Sequence, residues 1–178
     1  MTLRDDYLAR LAAWSDVQYC MPRFHDEAAS RPGAAVLELG VRGGNSTSAW
    51  LAGAQVSGGH VWSADVNQPD VPDDWYSCGL WTFTQGDDMA IPLPDRMFGV
   101  LFIDTSHAYD HTLAELRRFV PLVAAGGTVL LHDTILGDPP GGPWQVREAL
   151  DAFCAETGRT WAEHGGQYGL GEIARPNG

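Results

Sequence analysis

Three aspartates close apolar runs in this sequence, and each sits where a strand end meets a turn. Asp104 ends Phe98-Gly-Val-Leu-Phe-Ile103 and is followed by Thr105, Ser106 and His107; Asp133 follows Thr128 to Leu131 and His132; Asp65 ends the run that begins at His60. Imidazole titrates near neutral pH, so His107 is a candidate general base for a hydroxyl proton, with Asp104 beside it at the same rim. Asp65 has the type and position to accept hydrogen bonds from both ribose hydroxyls of a nucleoside. His132 and Asp133 are adjacent, so strand alternation turns only one of them to a crevice, and Asp133 is the one expected there.

A fourth group precedes them. Glu38-x-Gly40-x-x-Gly43-Gly44 follows the apolar run Ala35-Val36-Leu37. Glycine there admits positive φ and lets a ligand approach the backbone, while Asn45, Ser46 and Thr47 can cap the next helix, whose free N–H groups favour a negative ligand group. A dinucleotide site prefers G-x-G-x-x-G, and Arg42 stands where the second glycine would be.

The elements that must hold these groups follow from periodicity. Leu3, Tyr7, Leu8, Leu11 and Trp14 predict a helix over 3–14, and Pro22 opens a second, up to Ser30. Tyr19, Met21, Phe24 and His25 are candidates either for pocket residues or for ordinary packing. A strand over 35–38, a helix over 45–55, strands over 60–65 and 80–84, and a core strand over 98–104 follow. Between them, 66–80 is broken by prolines and admits at most a turn of helix near 72–76. Leu113, Leu116, Val120 and Val123 predict a helix over 109–124 that Pro121 shortens. A strand over 128–131, the Pro/Gly loop GDPPGGP, a helix carrying Val146, Leu150 and Phe153, and a hairpin around Gly165-Gly166 complete the chain.

Strands alternating with crossovers, and acids at strand ends, predict an α/β fold: a Rossmann-like, doubly wound, mostly parallel sheet with a C-terminal antiparallel hairpin in three α/β/α layers. The length of 178 residues fits one domain, read as a helical segment over 1–33 and a core over 34–178. A net charge of −12 argues against nucleic acid as a partner. Three cysteines without a C-x-x-C pair signal neither a disulfide framework nor a zinc site and suit a reducing cytoplasm. The N-terminus carries acids and no long apolar run, so the chain reads as soluble, with no membrane partner.

With these motifs in order, the sequence resembles the class I S-adenosylmethionine (SAM) methyltransferases. FIDTSHAYDHTLAELRRFVPLVAAGGTVLLHDT resembles the small-molecule O-methyltransferase branch that includes natural-product sugar O-methyltransferases and cephalosporin-hydroxylase-like proteins. The resemblance covers nearly the whole chain. It implies SAM as cofactor, held by Glu38, Gly40, Gly43, Asn45, Ser46 and Asp65, with Gly86 and either Asp87 or Asp88 at the adenine and Asp104 near the sulfonium. It implies methyl transfer to a hydroxyl of a small molecule, with His107 and Asp104 as catalytic residues. Metal-dependent relatives place magnesium on the acids matched by Asp104 and Asp133; Thr134 stands at the third ligand position, where a stronger ligand is usual. The rivals are a SAM- or nucleoside-binding protein without catalysis and an NAD-dependent oxidoreductase. Finally, Trp75, Tyr76, Leu80 and Trp81 gather where helical cover is thin, which suits either a homodimer surface or a local lid.

Overall fold

The computed structural model describes residues 2–135 and 142–174. Its centre is a sheet of seven strands in the order β3-β2-β1-β4-β5-β7-β6. β1 (Ala35–Leu39), β2 (His60–Asp65), β3 (Trp81–Gln85), β4 (Phe98–Ile103) and β5 (Val123–His132) run parallel, while β7 (Leu170–Ile173) is antiparallel to both β5 and β6 (Trp161–Glu163). The strand order reverses between β1 and β4, so the carboxyl ends of these two strands open a crevice.

Alternation along the strands builds two cores. Val36, Val100, Phe102 and Leu130 pack with Phe24 and Trp50 on one face, under α1 (Leu3–Ala12), α2 (Met21–Ala29) and α3 (Asn45–Ser57). Leu37, Leu101 and Leu131 pack with Leu116 and Phe153 on the other, under α5 (Tyr109–Phe119) and α6 (Val146–Thr157). These are the three layers expected. Phe24 stacks on Trp50 at 4.6 Å, so truncating either ring would cost about 3–5 kcal/mol. Of the four pocket candidates near α2, Met21 and Phe24 are core, His25 stacks on Tyr7, and Tyr19 is exposed.

The thinly covered region closes on itself. α4 (Asp73–Ser77) is the single helical turn admitted between β2 and β3, and it drives Trp75 down to meet Trp81 edge-on at 5.8 Å. Trp75 Nε1 donates to Asp6 of α1 at 3.0 Å, and Trp81 Nε1 donates to Ser63 at 2.8 Å. Both indoles are buried, so of the four residues grouped as a homodimer surface only Tyr76 is among the exposed large hydrophobics.

Pro121 ends α5 at Phe119, and a 3-10 turn over Val120–Leu122 follows. β5 then begins at Val123, earlier than the predicted 128, because the 126–127 glycines are carried inside the strand beside a register shift against Phe98 and Val100. Most of the GDPPGGP loop lies outside the described residues.

Candidate functional site

The glycine turn is fastened from three sides. Gly40 has φ +91°, and a Cβ there would lie 1.9 Å from the Asp104 carbonyl oxygen, so the ends of β1 and β4 touch only because this residue has no side chain. Asp65 Oδ2 accepts the Val41 and Arg42 N–H groups, each at 2.9 Å, and Oδ1 accepts Asn67 N–H at 2.8 Å. A carboxylate has about four lone-pair positions, so three backbone bonds leave room for one further donor, not the two ribose hydroxyls expected. Arg42, itself at φ +50°, pairs with Asp16 at 2.6 Å and ties the turn to the segment between α1 and α2.

Glu38 departs from its expected place. Its carboxylate is fully buried and accepts Ser46 Oγ at 2.7 Å, Thr47 Oγ1 at 2.8 Å and Ser63 Oγ at 2.6 Å. Burial pushes its carboxyl up to about 7, against the pull of those three hydroxyls. It lines neither cavity described below, so it acts as a buried clasp between β1, β2 and the start of α3. Ser46 and Thr47 are its donors. The strand pattern foresaw the acid but not its direction.

Two cavities meet at the crevice and share Gly40, Arg42, Asp104 and Thr105. One, of about 390 Å³, adds Val17, Gly43, Asn45, Ser46, His107, Asp133, Trp144 and Tyr168. The other, of about 550 Å³, adds Asp65, Val66, Asn67, Gly86, Asp87, Asp88 and His111. The structure therefore brings Gly40, Gly43, Asn45, Ser46, Asp65, Gly86, Asp87, Asp88, Asp104, His107 and Asp133 to one connected crevice.

Three ionisable groups, Asp104, His107 and Asp133, form its inner rim, and His132 backs them from inside the protein. His107 Nε2 bonds Asp133 Oδ2 at 2.5 Å, and His132 Nδ1 lies 3.2 Å from Asp133 Oδ1 and 3.7 Å from Asp104 Oδ1. Of the neighbours His132 and Asp133, Asp133 lines the smaller cavity, while His132 is buried and lines neither. Alternation ends at His132: Asp133 has φ +63°, a left-handed conformation that aspartate tolerates, and the buried His132 ring backs the Asp104 and Asp133 carboxylates. Burial pushes the His132 imidazole down, but the adjacent Asp104 and Asp133 carboxylates outweigh it, so the ring is held well above its ordinary value, as an imidazolium. Asp133 is the counterpart: burial pushes it up, and its bonds to His107 and His132 hold it well below the usual carboxylate range.

Trp144, whose ring lies tilted against His107 with centroids 4.1 Å apart, and Gln145 N–H, which donates to the His107 carbonyl at 2.7 Å, clamp this histidine from the segment before α6. Nothing in the sequence singled out Trp144. Thr134 is buried and donates to Glu163 Oε2 at 2.5 Å, so it is engaged away from the metal position assigned to it. The donors gathered within 4.8 Å of one another are Asp104, His107 and Asp133. Two carboxylates that already face an imidazolium, with an imidazole as third donor, do not fit a hard ion that takes oxygen ligands.

A second cluster borders the larger cavity. His111 Nε2 lies 3.2 Å from Asp88 Oδ2 and 3.8 Å from Glu115 Oε1, and Thr105 Oγ1 donates to Glu115 Oε1 at 2.6 Å. Burial and the neighbouring Asp88 push the Glu115 carboxyl up to about 10. Asp88 is thus bound into this cluster, while Asp87 is exposed and caps its own turn through Met89 N–H.

With this geometry in view, a family model described as a methyltransferase domain matches residues 37–134. The matched stretch starts inside β1 and ends just past Asp133, enclosing the glycine turn and both clusters. The chain belongs to this family. The class I methyltransferase resemblance read from the sequence is borne out, and so is the doubly wound sheet with its antiparallel hairpin. Comparison with curated proteins found no match. Among solved structures, the methyltransferase PaMTH1 of Podospora anserina, bound to S-adenosylhomocysteine (SAH), is 16% identical with a TM-score of 0.66, covering 98% of this chain and 88% of its own. The O-methyltransferase TomG of Streptomyces achromogenes, involved in tomaymycin synthesis and bound to SAM, is 15% identical with a TM-score of 0.65, covering 93% and 82%. The methyltransferase MycE of the mycinamycin pathway, bound to magnesium, SAH and mycinamycin VI, is 17% identical with a TM-score of 0.67; 97% of this chain covers 52% of that one. No helix among the described residues is long and apolar enough to cross a membrane.

Proposed function

We propose that the protein is a SAM-dependent O-methyltransferase that methylates a hydroxyl of a small molecule. The observation that carries this reading is the His107–Asp133 pair, at 2.5 Å, on the wall of one cavity that joins another lined by Asp65 and Gly86. Bound SAM supplies an electrophilic methyl on a sulfonium. Its adenosine fits the larger cavity, with one ribose hydroxyl on Asp65 and the adenine beside Gly86 and Asp87, while the open turn at Gly40, Gly43, Asn45 and Ser46 takes the amino-acid end.

The acceptor enters the smaller cavity between Trp144 and Tyr168. Asp133 accepts a hydrogen bond from His107 Nε2–H and fixes the tautomer, which leaves the Nδ1 lone pair to take the acceptor's hydroxyl proton as the oxygen–methyl bond would form and the methyl–sulfur bond break, leaving a neutral thioether. Asp104 stands where the two cavities join and keeps a negative charge near the departing positive one. The rest of the rate comes from holding oxygen, methyl and sulfur in line. The mechanism needs no magnesium on Asp104 and Asp133, because His132 already places a positive charge between them. Full turnover in excess EDTA is the expected result, and loss of activity restored by magnesium alone would return the ion to the site. The rival without catalysis shares the SAM site and differs at His107; the oxidoreductase lacks its glycine pattern and falls outside the family.

Two measurements test the reading. Calorimetric titration should show SAM binding, weakened in Asp65→Ala by about 1.5–3 kcal/mol for one charge-assisted hydrogen bond; unchanged affinity removes the ribose assignment. Screening hydroxylated small molecules should yield a methylated product with wild type and none with His107→Ala. If SAM binds and no hydroxyl compound is methylated, the binding-only alternative stands.

A further inference from the structure

The Asp88, His111 and Glu115 cluster has no role in the reaction above, and its composition is unusual for a protein wall. Glu115 is completely buried and Asp88 nearly so, while His111 is one-third exposed and lines the larger cavity. One ligand atom from each of the three lies within 4.8 Å of the other two. No N–H or O–H of another described residue reaches Asp88 Oδ1 or Glu115 Oε2, although both atoms are shut away from water. Two buried carboxyl groups this close hold either a shared proton or a cation between them. Asp104 adds a further negative charge nearby, and no arginine or lysine pairs with either acid among the described residues.

The separations discriminate between those occupants. An ion about 2.0–2.2 Å from each of three donors sets neighbouring donors about 3–3.5 Å apart. His111 Nε2 stands 3.2 Å from Asp88 Oδ2 and 3.8 Å from Glu115 Oε1, close to that spacing before any adjustment. One imidazole nitrogen with two carboxylate oxygens suits zinc-class divalent ions, whereas magnesium prefers an all-oxygen shell. The spacing on the chain helps as well: His111 and Glu115 sit four apart on α5, so one helix face presents both, and Asp88 comes to meet them from the turn after β3.

We propose that Asp88, His111 and Glu115 form a binding site for a divalent transition-metal ion of the zinc class, set in the wall of the larger cavity. His111, the exposed member, is the point of entry. The ion closes the cluster's excess negative charge and pins the start of α5 to the turn after β3. This site does not depend on the reading of the cavity as a SAM site, and it is tested without SAM.

The experiment uses the full chain, stripped with EDTA and dialysed, and titrates zinc by calorimetry with the melting temperature followed in parallel. Wild type should bind one equivalent and melt higher with zinc present. Loss of a group that merely orients a metal ligand costs about 10–100-fold in affinity, so His111→Ala, which removes a ligand, should weaken binding at least that much. His107→Ala should bind zinc as wild type does. His111 is partly exposed and its replacement leaves the core intact, which a circular dichroism spectrum checks. Glu115→Gln, isosteric with the acid, should also weaken binding. No saturable zinc binding overturns the proposal and leaves the proton as occupant. Undiminished binding in folded His111→Ala overturns it too, and loss in His107→Ala alone moves the ion to the other cluster.

Discussion

Two acid–histidine clusters stand at the carboxyl edge of this sheet, and they resolve the same electrostatic problem in opposite ways. At the rim, Asp133 lies between His107 and His132, and the pair of imidazoles keeps its carboxylate ionised although it is largely buried. Along α5, Glu115 is buried beside a second acid with one histidine at 3.8 Å, and its carboxyl is pushed up to about 10. Burial acts on both. What differs is the company, two imidazoles around Asp133 against one imidazole and a second acid beside Glu115, so the ionic state of a buried acid follows from its neighbours and not from its depth.

The sharpest way to break that comparison is to remove the rim's base. His107→Ala should lower kcat by about 10²- to 10⁴-fold, the range of general-base contributions, with SAM affinity unchanged. Steady-state kinetics beside calorimetry measures both, and a variant with full kcat would reduce His107 to a wall residue.

Asp133→Asn tests whether the rim acid is truly ionised. The amide leaves the His132 imidazolium short of a counter-charge, so unfolding stability should fall by about 3–5 kcal/mol, the range for breaking a buried pair from one side. Urea denaturation at neutral pH reads it. A loss under 1 kcal/mol would mean that His132 is neutral in the folded protein.

Glu38 extends the contrast to an acid with hydroxyl partners and no histidine. The folded chain keeps its proton up to about 7, whereas the unfolded chain releases it near 4.5, so folding stability falls as pH rises through that window and is level above it. The gap corresponds to about 3 kcal/mol. Glu38→Gln lacks this slope, so its stability relative to wild type should rise by that amount between pH 4.5 and pH 8. A constant difference between the two proteins would show that Glu38 is ionised throughout.

The smallest effect is expected at Glu115. In metal-free protein its carboxyl is neutral at pH 7, and glutamine keeps the shape and a donor toward Asp88, so Glu115→Gln should cost under about 1 kcal/mol. Set beside Asp133→Asn, the same acid-to-amide exchange should differ several-fold in cost. Equal losses at the two positions would erase the distinction drawn above.

Much of this architecture was legible in the residues. Apolar runs ending in Asp65, Asp104 and Asp133 marked three strand ends, and the Gly40–Gly44 turn marked the crevice, because both follow from local pattern. Side-chain direction was less legible. Alternation turned His132 away from the crevice, and it lines neither cavity, but its contact with the Asp104 and Asp133 carboxylates could not be read from alternation. Glu38 looked like a ligand acid because its three hydroxyl donors come from β2 and α3, and only tertiary packing brings Ser63 near Ser46. Thr134 looked like a weak metal ligand because Glu163, its acceptor, lies on the distant hairpin. Trp144 could not be read at all, since a tryptophan beside a proline carries no periodic signal. His111 and Glu115 were visible as a helical pair, yet the acid that completes them arrives from the turn after β3.

The place of β7 has a consequence for synthesis. It is inserted between β5 and β6, so the outer edge of β5 has no neighbour until residues 170–173 arrive. Roughly 40 residues separate His132 from Leu170, which takes a ribosome on the order of seconds at about 5–20 residues per second. During that interval an apolar strand presents a row of open backbone groups to any other nascent chain, which is the geometry that seeds intermolecular pairing. Translation speed over the 133–170 stretch should therefore govern how much of the protein reaches its folded form in a crowded polysome.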